Sequence, residues 1–135
     1  MSKRAIVTAI VSTLVSMVLN ILIHGILFGN MYAEYADLWR PPEEFRMWLI
    51  LAQTIAQIVV FIFIYERWIP VKSLGRGIAY GTLWGIVMGF GSASGYATLP
   101  VEPMVGWVWF VSGVLQMVVC GAIVGAMVKA PTGTE

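Results

Sequence analysis

The sequence predicts an all-α integral membrane protein: a bundle of four transmembrane helices with both termini in the cytoplasm. Composition is the first observation behind this class, since 59% of the 135 residues are hydrophobic and 11% are charged, whereas a soluble domain carries about 25% charged residues. The second observation is that the hydrophobic residues form long unbroken segments. In lipid only helices and closed barrels satisfy the backbone, and these segments are too long for barrel strands.

Four apolar segments reach, or nearly reach, the ~20 residues that a helix needs to span a bilayer. They cover about 5–29, 47–65, 77–97 and 105–128. The first follows Lys3 and Arg4 as a signal peptide would, but it is longer than the ~7–15 apolar residues of a signal and lacks a small-residue cleavage site after it. We therefore expect a retained first helix and a single domain over 1–135.

Basic residues in the short connections predict the orientation, because Lys and Arg favour the cytoplasmic side. Six of them fall on one side of the membrane: Lys3, Arg4, Arg67, Lys72, Arg76 and Lys129. Only Arg40 and Arg46 fall on the other side, in a loop that also carries acidic residues. Both termini are therefore expected inside.

The loop 30–46 is the longest connection and mixes aromatic with acidic residues. Aromatic side chains favour the headgroup zone, so we expect a short helix lying on the outer membrane surface. Pro41 and Pro42 should end it, and Glu43 and Glu44 suit the first turn of the next helix.

Polar residues in the first span recur at every fourth position: Thr8, Ser12, Ser16, Asn20 and His24. Four residues turn a helix by about 400°, so these side chains form one slowly winding stripe. Such a stripe should face protein, because lipid offers no hydrogen-bond partner.

Depth along the helices predicts partners for this stripe. Counting about 1.5 Å per residue from the outer helix ends, Asn20, Gln57 and Gln116 fall at one depth near mid-membrane. His24 and Gln53 match at a shallower depth. The sequence therefore predicts two polar layers, and the candidate polar residues are His24, Asn20, Ser16, Gln53, Gln57 and Gln116.

Several roles are open for these residues. They could be interhelical hydrogen bonds that hold the bundle, at about 0.6 kcal/mol each; His24 could also bind a ligand, ligate a haem or pigment, or sense pH. A lone histidine cannot form a tetrahedral zinc site, and no metal site is predicted. The single cysteine excludes an internal disulfide.

Glycines in the third span form a row at intervals of four: Gly77, Gly81, Gly85 and Gly89. Small residues at this spacing make a groove that lets another helix approach closely. The partner could lie within the chain, where Gly121 and Gly125 repeat the spacing, or in another chain.

The stretch HGILFGNMYAEYADLWRP, at the end of the first span, resembles small four-span bacterial membrane proteins of unknown function, in which an aromatic-rich element similarly follows the first helix. The resemblance implies a bacterial inner-membrane protein and no particular activity.

Function is constrained mainly by what is missing. No charged residue lies in the middle of a span, and no phosphate loop or catalytic triad pattern occurs, so an enzyme has no positive support and no cofactor can be named. A net charge of +1 gives no argument for nucleic acid. The leading hypothesis is a non-catalytic accessory subunit that packs through the glycine row against other membrane subunits or its own copies. The alternative is a small transporter or ligand-binding protein with a polar cavity around His24, Asn20, Gln53 and Gln57.

Overall fold

The computed structural model describes residues 1–128, and this part of the chain is helical without strands. Lys129, which entered the charge argument, lies outside the described residues. The elements are α1 (Lys3–Asn20), a π-helical segment (Ile21–Leu27), α2 (Gly29–Ala33), α3 (Met47–Trp68), α4 (Leu74–Ala93) and α5 (Pro103–Met127). Short 3₁₀ turns connect them at Ala36–Leu38, Pro42–Glu44 and Ser94–Ala97.

Three helical stretches are long and apolar enough to cross a membrane, judged by length and composition: Lys3–Leu27, Met47–Trp68 and Pro103–Met127. The predicted all-helical class is confirmed for the described residues, and these stretches suggest a membrane-embedded protein. Helix α4 has 20 residues and is not among the three. Its glycines and Arg76 explain this, because glycine adds length without adding hydropathy and a charged residue near the start of the helix lowers the mean.

Local sequence explains where the helices start. The Ser2 hydroxyl accepts a hydrogen bond from the backbone N–H of Ala5 at 3.1 Å, and the Ser73 hydroxyl accepts one from Arg76 at 3.2 Å. Each serine thereby satisfies an N–H group that the first turn of a helix leaves unpaired. Pro103 opens α5 at the position where a missing N–H costs nothing.

The first apolar segment departs from the single helix predicted over 5–29. Regular α-helix stops at Asn20, and the Phe28 N–H bonds to the carbonyl of Ile23 at 3.0 Å, five residues back. A π-helical turn is wider than an α-helical turn and often marks a functional site. His24 lies within this π-helical segment.

The 30–46 connection is less helical than expected. Its α-helical part is the five-residue α2, which begins at Gly29. Glu43 and Glu44 lie in a 3₁₀ turn, not in the first turn of the next helix as predicted, because α3 begins only at Met47. Pro41, the residue before this turn, has an extended backbone.

The glycine row of α4 (Gly77, Gly81, Gly85 and Gly89) is buried against α5 of the same chain. A Cβ atom added at Gly85 would lie 2.8 Å from the Cα of Val114, and one added at Gly89 would lie 2.7 Å from the carbonyl oxygen of Phe110. Gly121 and Gly125 of α5 meet the other end of the row. The two backbones therefore touch along most of α4, which side chains of any size would prevent.

The hydrophobic core lies at the end of the bundle that carries the N-terminus. It joins Ala5 and Ala9 of α1 to buried residues of α3 and α5, listed here together: Ile58, Phe61, Ile62, Tyr65, Met117, Cys120 and Val124. The ring of Phe61 stacks on Tyr80 of α4 with centroids 4.5 Å apart, and the Tyr80 hydroxyl donates to the Phe61 carbonyl at 2.8 Å.

Helix α3 is packed along only half of its length. Its buried residues fall between Ile58 and Tyr65, whereas every residue over 47–53 is exposed. The helices therefore separate toward the opposite end, which carries the 28–46 connection and which we call the loop end. This separation leaves space between the helices at the loop end.

Candidate functional site

A cavity of about 290 Å³ occupies the space between the helices toward the loop end. It is lined from four sides, by the end of the first helical stretch, by α3, by α4 and by α5. The lining residues are Asn20, His24, Ile50, Gln53, Thr54, Gln57, Met88, Ser92, Trp109, Ser112, Gly113 and Gln116. Five of the six candidate polar residues are among them, and the sixth, Ser16, lies buried beneath.

The lining is polar but uncharged. Four carboxamides, three hydroxyls, an imidazole and an indole face the space, and the described residues that line it include no Asp, Glu, Lys or Arg. Polar side chains in apolar surroundings need hydrogen-bond partners. Their arrangement around a cavity is the main feature of this site.

Two of the carboxamides converge on the backbone at the floor of the cavity. Asn20 Nδ2 donates to the carbonyl oxygen of Ser16 at 3.0 Å, and Gln116 Nε2 donates to the same oxygen at 3.3 Å. The Ser16 hydroxyl in turn lies 3.4 Å from the Cys120 sulfur. Ser16 therefore connects α1 to α5 and holds both amides in place.

The other two carboxamides lie on α3. Gln53 Nε2 donates to Gln57 Oε1 at 2.6 Å, and Gln57 Nε2 donates to the Met117 sulfur at 3.2 Å. The predicted layer of Asn20, Gln57 and Gln116 is therefore brought to one cavity, but its three amides bond to other groups. Depth matching predicted one level for these residues, and it could not show that α3 separates from its neighbours at the loop end.

His24 has a different partner from the one expected. Its Nδ1 lies 2.7 Å from the hydroxyl of Tyr32, and the two rings are 5.7 Å apart between centroids. The imidazole therefore pairs with Tyr32 of α2, while Gln53 bonds to Gln57. Burial raises the pKa of Tyr32, so the phenol stays neutral at ordinary pH and can share a hydrogen bond with the imidazole.

Aromatic residues attach the 28–46 connection to the cavity wall. Tyr32 meets Trp39 edge-on with ring centroids 6.3 Å apart, and Trp39 meets Trp109 at 6.4 Å. The Tyr35 hydroxyl accepts a hydrogen bond from the backbone N–H of Glu102 at 3.1 Å. The sequence predicted an aromatic, interfacial loop here but did not point to Tyr32 and Trp39 as neighbours of the site, since nothing in the spacing connects them to His24.

The rest of the polar stripe lies deeper in the bundle, as a protein-facing stripe should. Thr8 and Ser12 are fully buried, and the Thr8 hydroxyl donates to the carbonyl of Arg4 at 2.7 Å. Within residues 1–128 the Ser12 hydroxyl has no hydrogen-bond partner. The stripe therefore passes from a closed, packed region at its start to the cavity at Asn20 and His24.

The candidate glycines belong to the helix interface and not to the cavity. A residue that the sequence reading missed, Gly113, contributes to both: it lines the cavity, and a Cβ added to it would lie 2.9 Å from the Cα of Gly89. Over residues 1–128, no group of three or more His, Cys, Asp and Glu side chains is placed to hold a metal ion.

Comparison of the chain with known protein families, with curated proteins and with solved structures finds no match. The cavity and its contacts are therefore the basis for the functional argument below.

Proposed function

We propose that this protein is a non-catalytic integral membrane protein that binds a small neutral solute in the polar cavity between its helices. The observation that carries the proposal is the uncharged polar lining of a space of about 290 Å³. Ligand pockets in proteins begin at roughly this size, about 300 Å³. A bacterial inner membrane, implied by the resemblance of the first loop, is the proposed location.

A purely structural role for the carboxamides fits the geometry less well. Interhelical hydrogen bonds hold helices together when the helices are close, and each is worth about 0.6 kcal/mol. Here Gln53 is exposed, and its amide bonds within its own helix to Gln57. Gln57 does bond from α3 to Met117 of α5, and Gln116 bonds from α5 to Ser16 of α1. These bonds leave amide oxygens around the space without a donor among the described residues, and such oxygens are suited to contacting a solute or water.

The proposed topology has four spans, with α4 as the third, and both termini in the cytoplasm. Helix α4 has 20 residues, which gives it a length of about 30 Å, enough for the hydrocarbon core. The backbone N–H of Ser2 donates to Glu66 at 2.9 Å, so the N-terminus and the end of α3 lie together. These are two of the segments that the basic residues assign to the cytoplasm, and their contact supports placing them on one side of the membrane.

The accessory-subunit hypothesis has less support than the sequence suggested. Its main argument was a glycine groove open to another chain, and α5 occupies that groove along Gly77–Gly89. Ligation of a haem or pigment would have to use His24 Nε2, because Nδ1 is engaged by Tyr32. An absorption spectrum of protein purified from its own membrane tests this second candidate: a Soret or pigment band would favour it.

The proposal requires that the cavity hold water and open to the outer side. Cysteine labelling tests this with Thr54→Cys in a Cys120→Ser background, using a charged maleimide that does not cross membranes. We expect modification when the reagent is added to right-side-out vesicles and little when it is added to inverted vesicles, which expose the cytoplasmic face.

The matched control is Ile55→Cys. Ile55 is the next residue on α3 and is 42% exposed, yet it does not line the cavity, so its cysteine should lie in lipid and react slowly. If Thr54→Cys reacts no faster than Ile55→Cys, the cavity is dry and the proposal is wrong.

A further inference from the structure

Hydrogen-bond chemistry at the floor of the cavity determines how two carboxamides are turned. A backbone carbonyl can only accept, so the bonds from Asn20 and Gln116 to the Ser16 oxygen must come from their amide nitrogens. The amide oxygens of both side chains are therefore directed away from Ser16. No donor of the described chain engages either oxygen.

The same reasoning applies to the α3 wall. The Met117 thioether only accepts, so Gln57 presents its nitrogen to it and its oxygen to Gln53, whose nitrogen donates at 2.6 Å. Gln53 Oε1 is then the third amide oxygen without a donor among residues 1–128.

Two of the three hydroxyls in the lining already donate their hydrogens to backbone carbonyls. Thr54 donates to the carbonyl of Ile50 at 2.8 Å, and Ser112 donates to the carbonyl of Trp109 at 3.1 Å. Each hydroxyl has one hydrogen, so only its lone pairs remain for another partner. Each carboxamide nitrogen likewise donates one of its two hydrogens to the protein. Around the cavity, the unpaired oxygen lone pairs therefore outnumber the hydrogens that remain free to be donated.

We infer that the ligand of this cavity is a small uncharged solute whose polar groups are mainly hydrogen-bond donors, as in the NH₂ of a primary amide. The inference rests on the proposed function. A cation would meet acceptor oxygens but no carboxylate to balance its charge, and an anion would meet lone pairs and no cationic side chain; burying an unbalanced charge is costly. Trp109 and Ile50 supply apolar surface for the remainder of the ligand.

Three probes that share a phenyl ring separate these possibilities: benzamide, which is neutral with two N–H donors; N,N-dimethylbenzamide, which has none; and benzamidinium, which has donors and a positive charge. Binding to the intact protein in lipid nanodiscs is measured by titration calorimetry, with empty nanodiscs subtracted. We expect benzamide to bind at least about fivefold more tightly than the other two, since one hydrogen bond corresponds to about a two- to tenfold change in Kd.

Variants locate the effect in the cavity. Thr54→Val removes the lone pairs of one lining hydroxyl on α3 without freeing another side-chain acceptor, and it should weaken benzamide by about two- to tenfold while leaving N,N-dimethylbenzamide unchanged. Asn20→Leu should do the same at the floor, with far-UV circular dichroism to confirm that it folds.

Equal binding of benzamide and N,N-dimethylbenzamide, or tighter binding of benzamidinium, would overturn the donor inference and leave solute binding intact. Absence of binding by all three probes, with Thr54→Cys still labelled from water, would also overturn the inference while the hydrated cavity stands. The proposed function itself is refuted only if Thr54→Cys is not labelled faster than Ile55→Cys.

Discussion

Replacing Gly85 by alanine tests whether α4 and α5 are in direct backbone contact. An added Cβ would lie 2.8 Å from the Cα of Val114 and 2.9 Å from its carbonyl oxygen. Ordinary van der Waals contact begins near 3.4 Å, so the helices would have to separate by about 0.6 Å. Both of the opposing atoms belong to the backbone, and no side-chain rotation can relieve the clash.

The expected magnitude follows from a matched pair of variants. Overpacking a well-packed interior costs about 1–3 kcal/mol, while alanine gains up to about 1 kcal/mol over glycine in helix propensity. Gly91 lies on the same helix, and a Cβ added there meets nothing within 4 Å, so Gly91→Ala should have the propensity gain alone. The free energy of unfolding of Gly85→Ala should therefore fall about 1–3 kcal/mol below that of Gly91→Ala.

The assay is reversible unfolding by sodium dodecyl sulfate in mixed micelles, followed by circular dichroism at two protein concentrations. If the Gly85 contact lies within one chain, the difference in unfolding free energy between the two variants does not depend on protein concentration. If it lies between chains, the difference changes with concentration. Equal stability of the two variants would refute the direct backbone contact between α4 and α5. A strongly concentration-dependent difference would show that the glycine groove of α4 binds a partner subunit.

Other perturbations examine the core, the thiol and the His24 contact. Phe61 is fully buried and Phe63 is 41% exposed, so Phe61→Ala should lower the free energy of unfolding by about 3–5 kcal/mol and Phe63→Ala by clearly less in the same assay; equal losses would contradict the assigned core. Cys120 is fully buried, so a maleimide should modify it only after denaturation, and rapid modification of folded protein would show that the packing is wrong. Tyr32→Phe removes the 2.7 Å hydrogen bond to His24 and should cost about 0.5–1.5 kcal/mol. Because burial raises the pKa of Tyr32, the folded chain keeps this proton to higher pH than the unfolded chain, so wild type should lose stability relative to Tyr32→Phe as the pH rises above about 10; parallel pH profiles would count against this.

Helix positions could be predicted well from the sequence, and helix ends less well. The apolar segment predicted over 47–65 corresponds to Met47–Trp68, and that over 105–128 corresponds to Pro103–Met127. The segment predicted over 5–29 hides a change from α-helix to π-helix at Ile21. Apolar composition is the same in both helix types, so hydropathy cannot distinguish them.

The residues of the candidate site could be predicted from the sequence, but the sequence could not decide whether they pack against one another or surround a cavity. Spacing along each helix identified the polar face, and depth matched Gln53 and Gln57 of α3 to residues of α1 and α5. Whether matched side chains touch depends on the lateral distance between helices. That distance is set at the far end of α3, where packing around Phe61 and Tyr65 holds one half of the helix and leaves the other half free.

The sequence by itself determined the all-helical class, the apolar segments, the polar stripe ending at His24 and the glycine row that begins at Gly77. These depend on composition and on periodicity within a single helix. Only the tertiary structure decided that α5 occupies the glycine row, that Tyr32 bonds to His24, and that the carboxamides surround a cavity. The physical reason is that periodicity tells which face of a helix needs a partner, while the identity and distance of the partner depend on how all the helices pack together.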